Sequence, residues 1–240
     1  MSAPDPIEAI GALADGTRLR IYRYISDRRE AVSREEVSKA LEIPLSKAKF
    51  HLDRLAKESV LEIEYRRMTG KQGPGAGRPA KLYRRAGAEI RLSLPERRYD
   101  IMGDILATAI ERAQGGVDIE SAIAESAYST GIAAARTRTV VAEPAAAAPE
   151  ATDTLERANT ALSALGYEAD VEVDALCLHN CPFDAMAQQH RNLACGANKH
   201  FVQGVLDGSD CDGLHASLEP TAGRCCVVAR RSTEPSSPSS

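Results

Sequence analysis

The chain has 240 residues, 43% of them hydrophobic, with 30 Lys and Arg against 34 Asp and Glu and a formal net charge of −4. This is ample apolar material for one large domain or two small ones, and no run of eighteen apolar residues offers a membrane-spanning helix. Charge is unevenly shared: residues 1–100 carry 21 Lys and Arg against 15 Asp and Glu, and residues 101–240 carry 9 against 19, a pattern that fits a nucleic-acid-binding part joined to an acidic one.

The opening Met-Ser-Ala-Pro-Asp-Pro lacks the basic and apolar regions of a signal peptide, so a cytoplasmic location is expected. A helix is expected over residues 7–29, where Ile10, Leu13, Leu19, Ile21, Tyr22 and Ile25 recur near helical spacing and Gly16 is a potential break. Ser33-Arg-Glu-Glu36 is a capping box that should open a short helix with Val37 and Leu41 inside. Pro44 marks a turn. The next helix is expected from Leu45 to Glu58, with Ala48, Leu52 and Leu55 as its inner stripe and Ser46, Lys47, Lys49, Phe50, Asp53, Arg54 and Lys57 outside it. Leu61 to Arg66 alternates as a strand with Leu61, Ile63 and Tyr65 on one face, and Lys81 to Arg84 reads as its return. Between them, residues 69–79 are too rich in glycine and proline for regular structure.

Helices followed by a basic hairpin give the order of a winged helix-turn-helix. A helix fits the major groove, where short polar residues near its start can reach base edges. Lys71 and Arg78, at the hairpin tip, could lie along phosphates or enter the minor groove. Leu13-Ala-Asp-Gly-Thr-Arg-Leu-Arg-Ile21, Ile43-Pro-Leu-Ser-Lys-Ala-Lys-Phe-His-Leu-Asp-Arg-Leu55 and Gly77-Arg-Pro-Ala-Lys-Leu-Tyr83 resemble the DNA-binding domain of ArsR-type repressors. The resemblance implies that the helix bearing Ser46, Lys47, Lys49, Phe50 and Arg54 reads double-stranded DNA, and that the protein is a homodimer meeting two half-sites.

Two further helices are expected, over 97–112 and 119–138. Their small side chains suit close helix approach and a dimer interface. Residues 142–153, with Pro144 and Pro149 among alanines, read as a linker.

All six cysteines fall in the last third of the chain, at 177, 181, 195, 211, 225 and 226. In a reducing compartment such a collection points to metal binding or redox chemistry rather than disulfides. The surrounding elements are a helix from Thr154 to Leu165 ending at Gly166, strands at 167–173 and 175–179, and a helix opening at Pro182. Cys195 should sit at the turn into a helix over 198–206, followed by strands at 214–218 and 225–229. Cys181 is thereby placed at a helix start, where amides favour a thiolate. No Cys-x-x-Cys knuckle occurs, which removes support from zinc fingers and ribbons. Adjacent strand residues point to opposite faces, so Cys225 and Cys226 are not expected to serve one centre.

Leu165-Gly-Tyr167, Asn180-Cys-Pro-Phe183, Cys195 after a short helix and Gly223-Arg-Cys-Cys226 resemble the sensor domain of SufR-type regulators, iron–sulfur repressors of cluster-assembly genes. The resemblance implies a [4Fe–4S] cluster in each subunit, held by Cys181, Cys195 and Cys225, with repression by the loaded dimer. The fourth ligand stays open among Cys211, Cys177 and His190.

The expected fold class is α+β. It comprises a winged helix-turn-helix over 1–95, a helical dimerisation segment over 96–141, a linker, an α+β cysteine-rich sensor domain over 154–231 and a tail over 232–240. The expected function is transcription regulation without catalysis, membrane or small-molecule substrate. A zinc site in place of the cluster is one alternative. A thiol oxidoreductase is a remote one, unsupported by any acid–base pair or nucleotide fingerprint.

Overall fold

The computed structural model describes residues 5–67, 79–141, 154–221 and 223–232. The chain divides into two compact units, Met1–Leu92 and Ser93–Ser240. Among the described residues no helix is long and apolar enough to cross a membrane.

The first unit contains helices α1 (Pro6–Leu13), α2 (Gly16–Ser26), α3 (Arg34–Leu41) and α4 (Leu45–Lys57), and strands β1 (Val32–Ser33), β2 (Leu61–Arg66) and β3 (Ala80–Arg85). The single helix expected over 7–29 is two. Asp15 adopts an extended backbone, and its carboxylate accepts from the Arg18 amide at 2.9 Å, capping α2. An aspartate that competes for helix amides, beside a glycine of low helix propensity, ends one helix and starts another. The Ser33 capping box is present, with Glu36 N donating to Ser33 Oγ at 3.1 Å and Ser33 N to Glu36 Oε2 at 2.6 Å. Glu42, at φ 53°, then turns the chain from α3 into α4.

Ala9, Ile21, Ile25, Val37, Ala48, Leu52, Leu55 and Tyr83 form this unit's core. The strands make an antiparallel sheet in the order β1-β3-β2. The expected inward face of β2 is corrected: only Leu61 is buried, and Glu62 and Glu64 are less exposed than Ile63 and Tyr65. Ile63 is 41% exposed and Tyr65 65% exposed, so β2 leaves the core after its first residue while Leu82 and Tyr83 of β3 stay buried. Lys71 and Arg78 lie outside the described residues, as does the linker expected over 142–153.

The second unit contains α5 (Tyr99–Gln114), α6 (Ile119–Val141), α7 (Thr154–Ser163), α8 (Asp184–Gln189) and α9 (Arg191–Gly208), with β4 (Glu168–Val171), β5 (Ala175–Asn180), β6 (Leu214–Leu218) and β7 (Val227–Arg231). The strands form an antiparallel sheet in the order β4-β5-β7-β6. Leu176, Leu178, Val227 and Ala229 belong to one core with Phe201, Val202, Val205 and Leu206 of α9. Ala175, Cys177 and Val228 form a small cluster of their own, as strand alternation requires. Ile101, Met102 and Ile105 of α5 and Ala127 of α6 share the main core, so these helices are part of the second unit.

The packing of α6 on α9 is unusually close, because glycines face each other. A Cβ on Gly131 would stand 2.2 Å from the Phe201 carbonyl oxygen, and one on Gly204 would stand 2.1 Å from that of Tyr128. The small residues expected to serve a dimer interface serve this contact within the chain.

Candidate functional site

Two groups of side chains have chemistry beyond folding. The first is the outer face of α4. Ser46, Lys47, Lys49, Phe50, Arg54 and Lys57 are all exposed, while Ala48, His51, Leu52 and Leu55 are buried. Ser46, Lys49, Phe50, Asp53, Arg54 and Lys57 line a shallow concavity along this face. Phe50 is 64% exposed, a large apolar ring left open among cations.

The scaffold behind this face is braced. Asp53 accepts from Lys81 Nζ at 2.6 Å and from Tyr83 Oη at 2.8 Å, tying α4 to β3. Burial works against the Asp53 charge, but the two donors outweigh it and hold the carboxyl below its ordinary range. Burial and the Asp53 contact push the Tyr83 phenol up to about 12. His51 is buried, and burial pushes its pKa down against the pull of Asp15. His51 thus belongs to the inner face of α4, with Leu52 and Leu55.

The second group is a thiol centre in the second unit. Cys181 follows β5, Cys195 lies in α9, and Cys225 and Cys226 precede β7. The protonation of Cys181 and that of Cys225 are linked, and Cys195 responds to Cys226 and to Cys181. Asn198 of α9, 1% exposed, donates its amide to Cys225 Sγ at 3.4 Å and stands 4.0 Å from Cys181 Sγ. Its amide oxygen accepts from the buried Tyr167 hydroxyl, which fixes the direction of the donor.

These contacts make the thiols unequal. Cys181 is lowered, first by its hydrogen bond with Cys225 and then, against burial, by the Phe183 amide and Arg97. Cys225 is raised, first by the same contact with Cys181 and then by burial. Burial and the Cys226 contact push Cys195 up to about 12. Among the described residues, no group of three His, Cys, Asp or Glu side chains is gathered tightly enough for a single metal ion. The four thiols stand instead as two pairs.

The remaining candidates lie elsewhere. Cys211 is fully buried in the main core, where its thiol meets the Ser209 carbonyl at 3.5 Å and the Arg157 side chain. Cys177 faces the other side of the sheet, 3.3 Å from Glu172 Oε1. His190 is exposed at the junction of α8 and α9. Of the expected set, Cys181 and Cys225 share the Asn198 amide as a neighbour, Cys195 lies in the same helix as Asn198, and Cys211 lies apart in the core.

Several local expectations are corrected. Helix α8 starts at Asp184 with Phe183 as its cap residue, so Cys181 sits before a turn rather than at a helix start. Cys195 is inside α9, since that helix begins at Arg191. The last strand begins at Val227. Cys225 and Cys226 are outside it, and the alternation that would separate them does not apply. Gly223, at φ +77°, was the sequence signal for a turn at this point. The partnership of Asn198 with Tyr167 and the role of Arg97 carry no spacing motif in the sequence.

A family model described as a helix-turn-helix domain matches residues 13–64. No curated protein and no solved structure matches the chain. The matched segment spans α2, α3, α4 and most of β2, and the antiparallel hairpin completes a winged helix-turn-helix. With a cationic outer face on the helix that such domains lay in the major groove, the chain is a DNA-binding transcription regulator.

Proposed function

We propose that the protein is a repressor of the ArsR and SufR-like kind, a cytoplasmic homodimer whose DNA binding responds to a cysteine-ligated iron–sulfur cluster in the second unit. One observation carries this reading: Cys181 and Cys225, from separate segments, meet one buried amide donor, Asn198, whose own helix also carries Cys195. Cysteine thiolates are the ligands that iron–sulfur clusters take, and hydrogen bonds to sulfur of the kind Asn198 makes stabilise and tune such centres.

The donor set fits a cluster by its chemistry. Among the described residues no three ligand side chains are gathered for one ion, whereas a cluster distributes its thiolate ligands over more than one metal. Cys181, Cys195 and Cys225 would hold it, with Cys226 better placed than Cys211 as the fourth thiol. When bound, such a cluster supplies an oxygen- and redox-labile link between the segment after β5, helix α9 and the segment before β7. The chain's own residues do the rest. Asn198 and Tyr167 orient the amide toward sulfur, and the Phe183 amide favours the Cys181 thiolate.

The test is anaerobic purification of the full chain, with visible spectroscopy and analysis of iron, sulfide and zinc, repeated on Cys181→Ser. A coloured protein containing iron and acid-labile sulfide, bleached in the variant, is expected. Stoichiometric zinc in a colourless protein would support the zinc alternative and overturn the cluster. Gel shifts with loaded and chelated protein then decide the direction of the response, with tighter binding by the loaded form expected.

A further inference from the structure

The second unit begins at Ser93, and within a few residues the chain is fastened to the segment that carries Cys181. Arg97 Nη1 donates to Asn180 Oδ1 at 2.5 Å and to the Cys181 carbonyl oxygen at 2.8 Å. Its other terminal nitrogen lies 3.7 Å from Asp184 Oδ2. Arg98 N donates to the Pro182 carbonyl oxygen at 3.0 Å. Asn180, itself buried, returns its amide to the Glu96 carbonyl oxygen at 3.2 Å and the Gly166 carbonyl oxygen at 2.6 Å. Tyr99 Oη accepts from Ala185 N at 3.3 Å.

Four consecutive residues, 96–99, thus bond to 180–185. A short segment held at so many points moves with its partner or breaks several hydrogen bonds that are partly shielded from water, one of them from a charged donor. Leu92, the last residue of the DNA-binding unit, is five positions before Arg97. Whatever restrains or releases Cys181 therefore acts on the stretch through which the first unit is attached.

We propose that Arg97 is a positioning residue that couples the thiol centre to DNA affinity, by locking the entry of the second unit, residues 93–98, to the Asn180–Cys181 segment. The proposal rests on the reading of the thiol centre as a sensor. With Cys181 held by a bound centre, residues 180–183 are fixed and the entry segment is fixed with them. With Cys181 free, the clamp can shift as a unit and alter the spacing available to paired DNA-reading heads. Arg97 is the residue suited to this part, because a guanidinium can bond a side-chain oxygen, a backbone oxygen and a carboxylate together.

The experiment uses the full chain, anaerobically reconstituted with iron and sulfide or stripped with chelator, on a duplex selected from a random library. Wild type is expected to bind about tenfold more tightly when loaded, within the usual range of coupling between sites. Arg97→Gln should keep its iron and sulfide content and the DNA affinity of the stripped form, while its loaded-to-stripped ratio falls to within about twofold, against the tenfold of wild type. A full tenfold response in Arg97→Gln overturns the proposal alone, and so does loss of iron from that variant, which would make Arg97 a support of the thiol centre only. Equal binding by loaded and stripped wild type overturns the sensor reading as well. If Arg97→Gln unfolds, Arg97→Lys carries the test: it keeps the charge without the fork, and an undiminished response in it is equally fatal.

Discussion

Replacing Gly204 by alanine probes the contact that holds the second unit together. The added Cβ would stand 2.1 Å from the Tyr128 carbonyl oxygen, 2.9 Å from its carbon and 3.1 Å from Ile132 N. Carbon–oxygen contacts settle at about 3.3 Å or more, so α6 and α9 would have to part by about 1 Å. The obstacle is backbone on a facing helix and cannot rotate away. Overpacking costs about 1–3 kcal/mol and occasionally more, and a rigid backbone obstacle belongs at or above the top of that range. The intrinsic helix preference of alanine over glycine returns about 1 kcal/mol. A net loss of about 2–3 kcal/mol should lower the melting temperature by about 4–12 °C for a unit of this size. Thermal denaturation followed by circular dichroism measures this, with Gly103→Ala in α5 as control. A Cβ at Gly103 meets nothing within 4 Å, so that variant should gain about 0.5–1 kcal/mol from helix propensity. Because propensity alone would stabilise both variants, the sign decides. If Gly204→Ala melts at or above the wild-type temperature, the helices do not touch there and the packing argument fails.

Other outcomes follow from single contacts. Asn198→Ala leaves the buried Tyr167 hydroxyl without its acceptor and should cost about 1–3 kcal/mol; urea denaturation of this variant, Tyr167→Phe and the double variant should show non-additivity of about 1 kcal/mol, and strict additivity would mean the two do not act together. Asp53→Asn weakens the brace between α4 and β3. Because the folded carboxyl lies below its unfolded value, its contribution is present above the ordinary carboxylate pKa and disappears as pH falls through the depressed one. The pair is over a third exposed, so the loss at neutral pH should be about 0.5–1 kcal/mol and smaller in high salt; a stability gap between wild type and variant that persists unchanged at pH 2 contradicts it. Lys49→Ala should weaken binding to all duplexes and reduce the slope of log affinity against log salt by about 1, measured by fluorescence anisotropy; an unchanged slope places Lys49 off the phosphates.

Local rules were enough where a single residue dictates its neighbours' geometry. The Ser33–Glu36 box opened its helix as written, and the stripe of Ala48, Leu52 and Leu55 alone assigned the outer face of α4. Those signals act over three or four residues, so the sequence displays them directly. The thiol centre was legible only as a collection of cysteines. Which of them meet depends on where β7 starts, and Val227 rather than Cys225 begins it. Cys225 and Cys226 therefore fall outside the strand, and Cys211 lies in the core beside Arg157. The clamp from Arg97 to Asn180 spans 83 positions, and the meeting of Gly131 with Gly204 depends on how two helices cross. Contacts of that kind are set by the packing of distant segments, and no local preference of either partner encodes them.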